Sequence, residues 1–433
     1  MKRVGTALWL AMTILAASGA EPSFGALDGP ATVLTADHAV QLALERNIDV
    51  LVSRFGLDRA EANRLLASAY PNPAYWFNQE GLTGGFERES NNVRYHRIEQ
   101  VIEGFGKRRH RLTAGQAGVE EARAEFQDTV RLLIFELKQT FYEVLLAQAN
   151  AETAAASLQR FREVVSITES RFEQGEIPES DLIRTKVEAL RFEDDVASAG
   201  VVLATAKSRL ALLVGLDGPV EVQGSLEQGL DQLPAGSLPS VDRLVERALL
   251  ARPDLAAVQA RQRRAESEVN LNRALRYPDL TVGLQSEYSS GLQGADDLST
   301  FGVGVGVTLP IWNRNRGGIA LAQADLRQTE ARVRQQERAI RAEIDTALEQ
   351  FRVSVERAEV VRSQLLPRTR ESLTIAEALY EEGATSLLQL LDAQQAFNEA
   401  QLRAHQVLFE YQISRSLLDR AVGTELTALG TSP

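Results

Sequence analysis

The chain has 433 residues and carries 59 acidic against 47 basic side chains, a formal net charge of −12. That balance excludes a nucleic-acid binder, because phosphate neutralisation needs a basic patch that is not there. Cysteine is absent, which removes disulfides, thiolate metal sites and thiol nucleophiles from the available chemistry.

Lys2 and Arg3 precede the apolar run Val4 to Ala17 and the small residues Ser18, Gly19 and Ala20. This reads as a secretory signal peptide over residues 1–20, since a spanning helix wants about twenty apolar residues. No later stretch approaches about eighteen uninterrupted apolar residues. The expectation is an exported chain with no membrane-spanning helix, able to enter a membrane only as β-strands.

The remainder is written twice. Asp37 to Leu44 resembles Asp242 to Leu249, and at the same offset Asp49 matches Asp254, Ala60-Glu61 matches Ala265-Glu266 and Pro73 matches Pro278. Arg171 to Gly175 is echoed by Leu379 to Gly383. Both units close alike, at Leu213-Val214-Gly215 and Ala421-Val422-Gly423. Self-similarity at a fixed period marks a structural repeat. It predicts a first repeat at 35–215, a Gly- and Pro-rich linker at 216–239, a second repeat at 240–423 and a tail at 424–433.

Each repeat reads helix, strand pair, very long helix, tight turn, helix, with helical hairpins at 107–214 and 317–422. Leu158, Phe161, Val165, Thr168 and Phe172 recur by threes and fours, as do Ile340, Ile344, Ala347, Phe351, Ser354, Ala358, Val361 and Leu365. These are coiled-coil seams. A helix from Lys107 to Phe172, or from Gly317 to Glu382, is about 100 Å long at 1.5 Å per residue, which no lone globular domain needs. Asn47 to Ala69 and Asp254 to Leu275 can stack end to end on the return helices, Ser180–Val214 and Leu387–Val422, to make a continuous wall. Pro367 removes a backbone donor and predicts a bend in the second long helix.

Strands are expected at about 73–81 and 93–102 in the first repeat, and at about 279–288 and 301–309 in the second. Leu280, Val282 and Leu284 alternate with Thr281, Gly283 and Gln285, and Val303, Val305 and Val307 alternate with glycines. The length suits tilted strands crossing a bilayer, which take about 9–11 residues. The Gly302 to Gly306 run lacks the third glycine and the following helix of a nucleotide loop. Four strands leave unpaired edges that lipid does not tolerate, and single-chain barrels begin at about eight strands. A shared barrel is implied, for which three chains supply twelve strands. The loops Leu82–Asn92 and Ser289–Thr300 would then lie outside the cell.

Over roughly Asp37 to Gly423 the chain resembles the TolC-like outer membrane efflux family. Its most specific residues are Arg171-Phe172-Glu173-Gln174-Gly175 followed by Ser180-Asp181-Leu182, and Tyr380-Glu381-Glu382-Gly383 followed by Leu387 to Gln394. The resemblance implies a mainly α fold with a small β part: coiled-coil hairpins forming a trimeric α-barrel, and four strands per chain in a shared 12-stranded transmembrane β-barrel. It places the chain in the outer membrane of a Gram-negative bacterium, with a long periplasmic portion. It also makes Arg171, Gly175, Asp181, Tyr380, Gly383, Gln389 and Asp392 parts of a periplasmic mouth that meets an adaptor protein. Gln389 stands where family members often carry an acid, and Asp181 can equally serve to stabilise a helix N-terminus. Glu99 to Arg108 and Leu309 to Gly317 resemble the cobalt-zinc-cadmium efflux branch. That branch implies a homotrimeric passive conduit for divalent cations (Co, Zn, Cd, Ni), fed by an adaptor and an inner membrane resistance-nodulation-division (RND) pump. Drug efflux, one-step protein secretion and a poreless periplasmic coiled-coil scaffold remain as alternatives.

Lys107, Arg108 and Arg109, with Arg314 and Arg316 in the second repeat, follow the strands directly. Positive charge at a helix start opposes the macrodipole, so contact with anionic lipid headgroups is one reading and a solvated cluster the other. Trp76 and Trp312 lie near strand ends, as interfacial aromatics or as packed ones. The four histidines, His38, His96, His110 and His405, are scattered, and both methionines lie before residue 20. No metal site, cofactor or catalytic constellation is nominated.

Overall fold

The computed structural model describes residues 32–80, 93–227, 239–289 and 298–424. The expected signal peptide, the loop segments 82–92 and 290–297, linker residues 228–238 and the tail beyond 424 lie outside the described residues. The chain runs β1 (Thr32–Leu34), α1 (Ala36–Arg46), α2 (Ile48–Ser68), β2 (Ala74–Glu80), β3 (Val93–Ile102), α3 (Lys107–Glu173) and α4 (Glu179–Val214). It continues through β4 (Val220–Val222), α5 (Val241–Ala251), α6 (Pro253–Ala274), β5 (Leu280–Ser289), β6 (Leu298–Val307) and α7 (Arg316–Val360). A π-helical turn (Val361–Leu365), α8 (Leu366–Glu381) and α9 (Leu387–Val422) complete it.

The helices form a wall. α3, at 67 residues, packs against α2 and α4, and also against α6 and α9, beyond which lie α7 and α8. The order across the wall is therefore α2/α4, α3, α6/α9, α7/α8. Most seam positions are buried, with Phe161, Thr168, Ile340 and Ile344 all at 0% exposure, while Phe172 at the hairpin tip is exposed. One apolar cluster (Leu137, Phe141, Val144, Ile344, Tyr411, Leu418) fills the middle of the wall, and a smaller one (Phe161, Leu373, Tyr380, Leu390, Phe397) fills the hairpin end. Burying each such side chain contributes about 1.5–3 kcal/mol. Gly115 sits where α2 crosses α3: an added Cβ would lie 3.3 Å from Arg64 Cα and Ala67 Cβ.

Paired helices meet head to tail. At the first joint the Asn47 side-chain amide donates to the Leu213 carbonyl at 3.0 Å, while its Oδ1 accepts from Asp49 N (2.9 Å) and Val50 N (3.3 Å). One residue thus serves an orphan acceptor of α4 and two orphan donors of α2. At the second joint Arg252 donates to the Ala421 carbonyl at 3.1 Å and Asp254 Oδ1 accepts from Leu255 N at 2.9 Å. Arg252 is 3% exposed and ion-paired to Asp254 and Glu343.

Four differences from the sequence reading have physical causes. The second long helix is broken by the π turn just before Pro367, where Leu366 N bonds Val361 O. The proline ring and its missing N–H disturb the carbonyl four residues upstream, and the extra residue of the π turn absorbs that. β6 begins at Leu298 rather than about 301, because it pairs residue for residue with β5 from Leu280↔Val307 to Ser289↔Leu298. Part of the expected linker is ordered: β4 pairs in parallel with β1, and Leu226 is buried. Finally, α4 contains an 18-residue window of mean hydropathy 1.4, making it long and apolar enough to cross a membrane by length and composition. Its ion pairs to α3 (Lys186–Glu169, Arg162–Glu193, Arg209–Glu143) run along its length, which marks it as a wall helix with one uncovered face.

Candidate functional site: strand sheet, rim and hairpin tips

The sheet has the order β2-β3-β5-β6, antiparallel throughout. Side chains opposite one another share a face, so the pairing register sorts the whole sheet. One face carries Tyr75, Phe77, Ile98, Leu280, Val282, Leu284, Phe301, Val303, Val305 and Val307, interrupted by His96, Gln100 and Ser286, with Arg94, Tyr288 and Ser299 at the loop end. The other carries Trp76, Asn78, Glu80, Tyr95, Arg97, Glu99, Gln285, Glu287 and the β6 glycines. A mainly apolar face and a mainly polar face therefore lie back to back. Trp76 is paired with Arg97 on the polar face, which corrects its reading as a lipid-interface residue; its neighbours Tyr75 and Phe77 hold the apolar side.

The basic cluster divides in two. Lys107 is 4% exposed, and its Nζ donates to Asp279 Oδ1 (2.7 Å) and the Tyr277 carbonyl (2.8 Å). Arg108 donates to the Ser68 carbonyl at 3.0 Å and lies 4.2 Å over the Tyr70 ring. Lys107 is thus not available to headgroups as expected, and Arg108 is turned onto the end of α2. The α2 C-terminus and Asp279 supply the negative charge that offsets cations at the start of α3. Arg111 follows the same logic, bonding Ala67 O, Ala69 O and both Glu103 oxygens. Arg109, Trp312, Arg314 and Arg316 are exposed.

At the far end each hairpin closes on a left-handed glycine, Gly175 (φ 77°) and Gly383 (φ 72°). Glu176 N bonds Arg171 O at 2.9 Å and Ala384 N bonds Leu379 O at 2.8 Å, capping both helices. The two tips are clasped. Tyr380, 4% exposed, shares a 3.2 Å hydrogen bond between its OH and Thr168 Oγ1. Arg171 lies 5.4 Å over the Tyr380 ring, donates to the Tyr380 carbonyl (3.4 Å) and to Glu176 (3.3 Å). Ser386 caps the α9 N-terminus, its Oγ accepting from the Gln389 backbone N–H at 3.4 Å, and the Gln389 side-chain oxygen accepts from Thr385 Oγ1. Asp181 and the exposed Asp392 make no ion pair among the described residues. Arg171, Tyr380 and Gly383 are brought together; Asp181, Gln389 and Asp392 stay at their helix starts. Glu176 went unremarked in the sequence and Thr168 was read only as a seam residue, because nothing there marks which seam residue reaches across to the other hairpin.

Burial shifts two wall groups against their charged neighbours. Desolvation raises the Glu121 carboxyl despite Arg264 (2.7 Å) and Arg261 (3.3 Å). Burial also lowers His405, against the fields of Glu152 and Glu227, where Nδ1 lies 3.0 Å from Asn150 Oδ1. No cluster of three or more His, Asp or Glu side chains among the described residues is placed to hold a metal ion.

A wall of long helices continuous with a four-stranded sheet that is apolar on one face and polar on the other defines a segment of a channel. The outer membrane efflux protein model matches residues 39–216 and 244–424, and the chain belongs to that family, the TolC-like outer membrane factors. It is a protein of the Gram-negative outer membrane with a long periplasmic portion, and a channel component rather than an enzyme. The cobalt-zinc-cadmium resistance protein CzcC of Cupriavidus metallidurans is 27% identical over 394 residues, covering 90% of each chain. The cation efflux system protein CusC of Escherichia coli is 25% identical over 402 residues, covering 88% of this chain and 84% of CusC. Among solved structures, CusC superposes with a TM-score of 0.76 at 21% identity, over 90% of this chain and 92% of that one. The Campylobacter jejuni CmeC outer membrane channel superposes with a TM-score of 0.75 at 18% identity, over 90% and 85%.

Proposed function

We propose that three copies close into one duct, the passive outer membrane exit of a tripartite efflux system for divalent heavy-metal cations. The observation that carries closure is the coincidence of open edges. The sheet ends on β2 and β6, and the wall ends on the helices adjoining those strands, α2/α4 and α7/α8. Both edges expose apolar side chains: Ile183, Val187, Leu190 and Val202 on one, Leu321, Val360 and Ile375 on the other. Two unlike edges that join head to tail generate a ring if the rotation closes. Three turns of the operation give twelve strands and leave no edge for lipid.

The clasped tips around Gly175 and Gly383 form the periplasmic mouth and the adaptor contact, with Arg171, Asp181, Tyr380, Gln389 and Asp392 around it. Adaptor docking separates Arg171 from Tyr380 and opens the mouth; an RND pump supplies the energy. The metal cargo is supported by the overall likeness to CzcC and CusC and by the branch-like stretches Glu99 to Arg108 and Leu309 to Gly317. Growth of a deletion strain on zinc, cadmium, cobalt, nickel and a drug panel, with complementation, tests the cargo. Sensitivity to the metals alone is the expected result; sensitivity to drugs alone would remove the metal assignment and keep the duct.

A further inference from the structure

Four connections join the strands to the helices, and each exposes one aromatic side chain: Tyr70 (71%), Phe105 (59%), Tyr277 (45%) and Trp312 (93%). The register Ile102↔Leu280↔Val307 puts these strand ends level, so the aromatics form one rim at the helical end of the sheet. Phe105 and Tyr277 stack, with centroids 4.5 Å apart and planes at 20°. Phe105 is held at φ 55°, a left-handed conformation that costs a bulky non-glycine residue energy and that the stack alone does not require. The same rim carries four exposed arginines, Arg109, Arg276, Arg314 and Arg316, that make no ion pair among the described residues. The acids beside them are already engaged: Glu103 binds Arg111, and Asp279 binds Lys107. The rim is thus aromatic, strongly positive and adjoins the sheet directly.

We infer that this rim is a binding collar for acidic phospholipids, with the four aromatics lying at the headgroup level of the inner leaflet and the four arginines taking headgroup phosphates. The inference rests on the reading that the sheet spans the membrane. Aromatic rings that are apolar at the body and tolerant of a wet edge favour that depth, and guanidinium groups pair with phosphate oxygens in a geometry lysine does not match. Anionic lipid near a membrane surface attracts each such cation, and salt screens the attraction.

The test uses the full chain in lipid nanodiscs of phosphatidylcholine, alone or with a rising fraction of phosphatidylglycerol, reading the melting temperature of the helical signal. The collar predicts a rise with phosphatidylglycerol that shrinks in high salt. It predicts loss of that rise in a variant combining Arg109→Gln, Arg276→Gln, Arg314→Gln and Arg316→Gln, which melts like the parent in phosphatidylcholine. Inorganic phosphate added to the detergent-solubilised protein should leave the melt unmoved. Retention of the full phosphatidylglycerol rise by the variant, or its reproduction by phosphate alone, would overturn the collar. Phe105→Gly gives a second arm: the strain is relieved, so stability in detergent holds or rises while stability in nanodiscs falls. An equal loss in both media would reduce Phe105 to packing and overturn its part. A parent chain that never enters nanodiscs would instead remove the spanning sheet itself.

Discussion

Asn47 and Arg252 stand at matching points of the two repeats and solve the same problem with different chemistry. Each ties the last turn of a hairpin return helix to the first turn of the helix stacked on it. Asn47→Ala removes a cap and leaves Leu213 O without that partner, and is expected to cost about 1–2 kcal/mol, read by thermal unfolding followed by circular dichroism. Lys107→Met should cost about 1–3 kcal/mol by the same measurement, because it strips two acceptors; Asp279, one third exposed, recovers some hydration. At His405 burial holds the imidazole below its ordinary value. The unfolded chain then binds the proton more readily, so this contribution is complete above the ordinary histidine range, near 6.5, and is lost as pH falls through the lower folded value. His405→Gln should flatten the melting-temperature profile on the acid side of neutrality. The sequence made Lys107 legible as an anomaly, a cation opposing a helix dipole. It could not show the answer, because Asp279 and the Tyr277 carbonyl lie far away along the chain.

Among the elements, the long helices were legible because their seams persist over many turns, and the burial of Ile340, Ile344 and Phe351 follows that spacing. The joint between α4 and α2 was legible as matched lengths, while the side chain that makes it was not. Pro367 announced a disturbance but not its form, since a bend and a π turn both accommodate a missing donor. Pro367→Ala is expected to let the helix run regularly through Val361–Leu365, slowing amide hydrogen exchange there; unchanged exchange would mean that packing on α9 holds the π turn. Strand phase was least legible. Tyr75, Trp76 and Phe77 are all aromatic, so alternation alone could not say which of them faces lipid until the partner strand fixed the register. At the tips, Tyr380→Phe removes the bond to Thr168 and leaves the ring beneath Arg171. With Arg171→Ala added, the clasp is lost, and cells carrying the double variant should admit large antibiotics that cells with the parent protein exclude.

For the whole molecule, most of the architecture was legible in a sequence written twice, with four strands too few to close. The trimeric duct proposed above would cover the apolar side chains on α4, β6 and α7 that are exposed in one chain, and would let the 36-residue helix α4 be apolar enough for a membrane without crossing one. The mass of the particle extracted from outer membranes in mild detergent, by size exclusion with light scattering, tests this most directly. The account predicts three chains per particle, and discrete conductance steps when that particle is added to a planar bilayer. A single-chain mass, or recovery of the protein in the soluble periplasmic fraction, would contradict it.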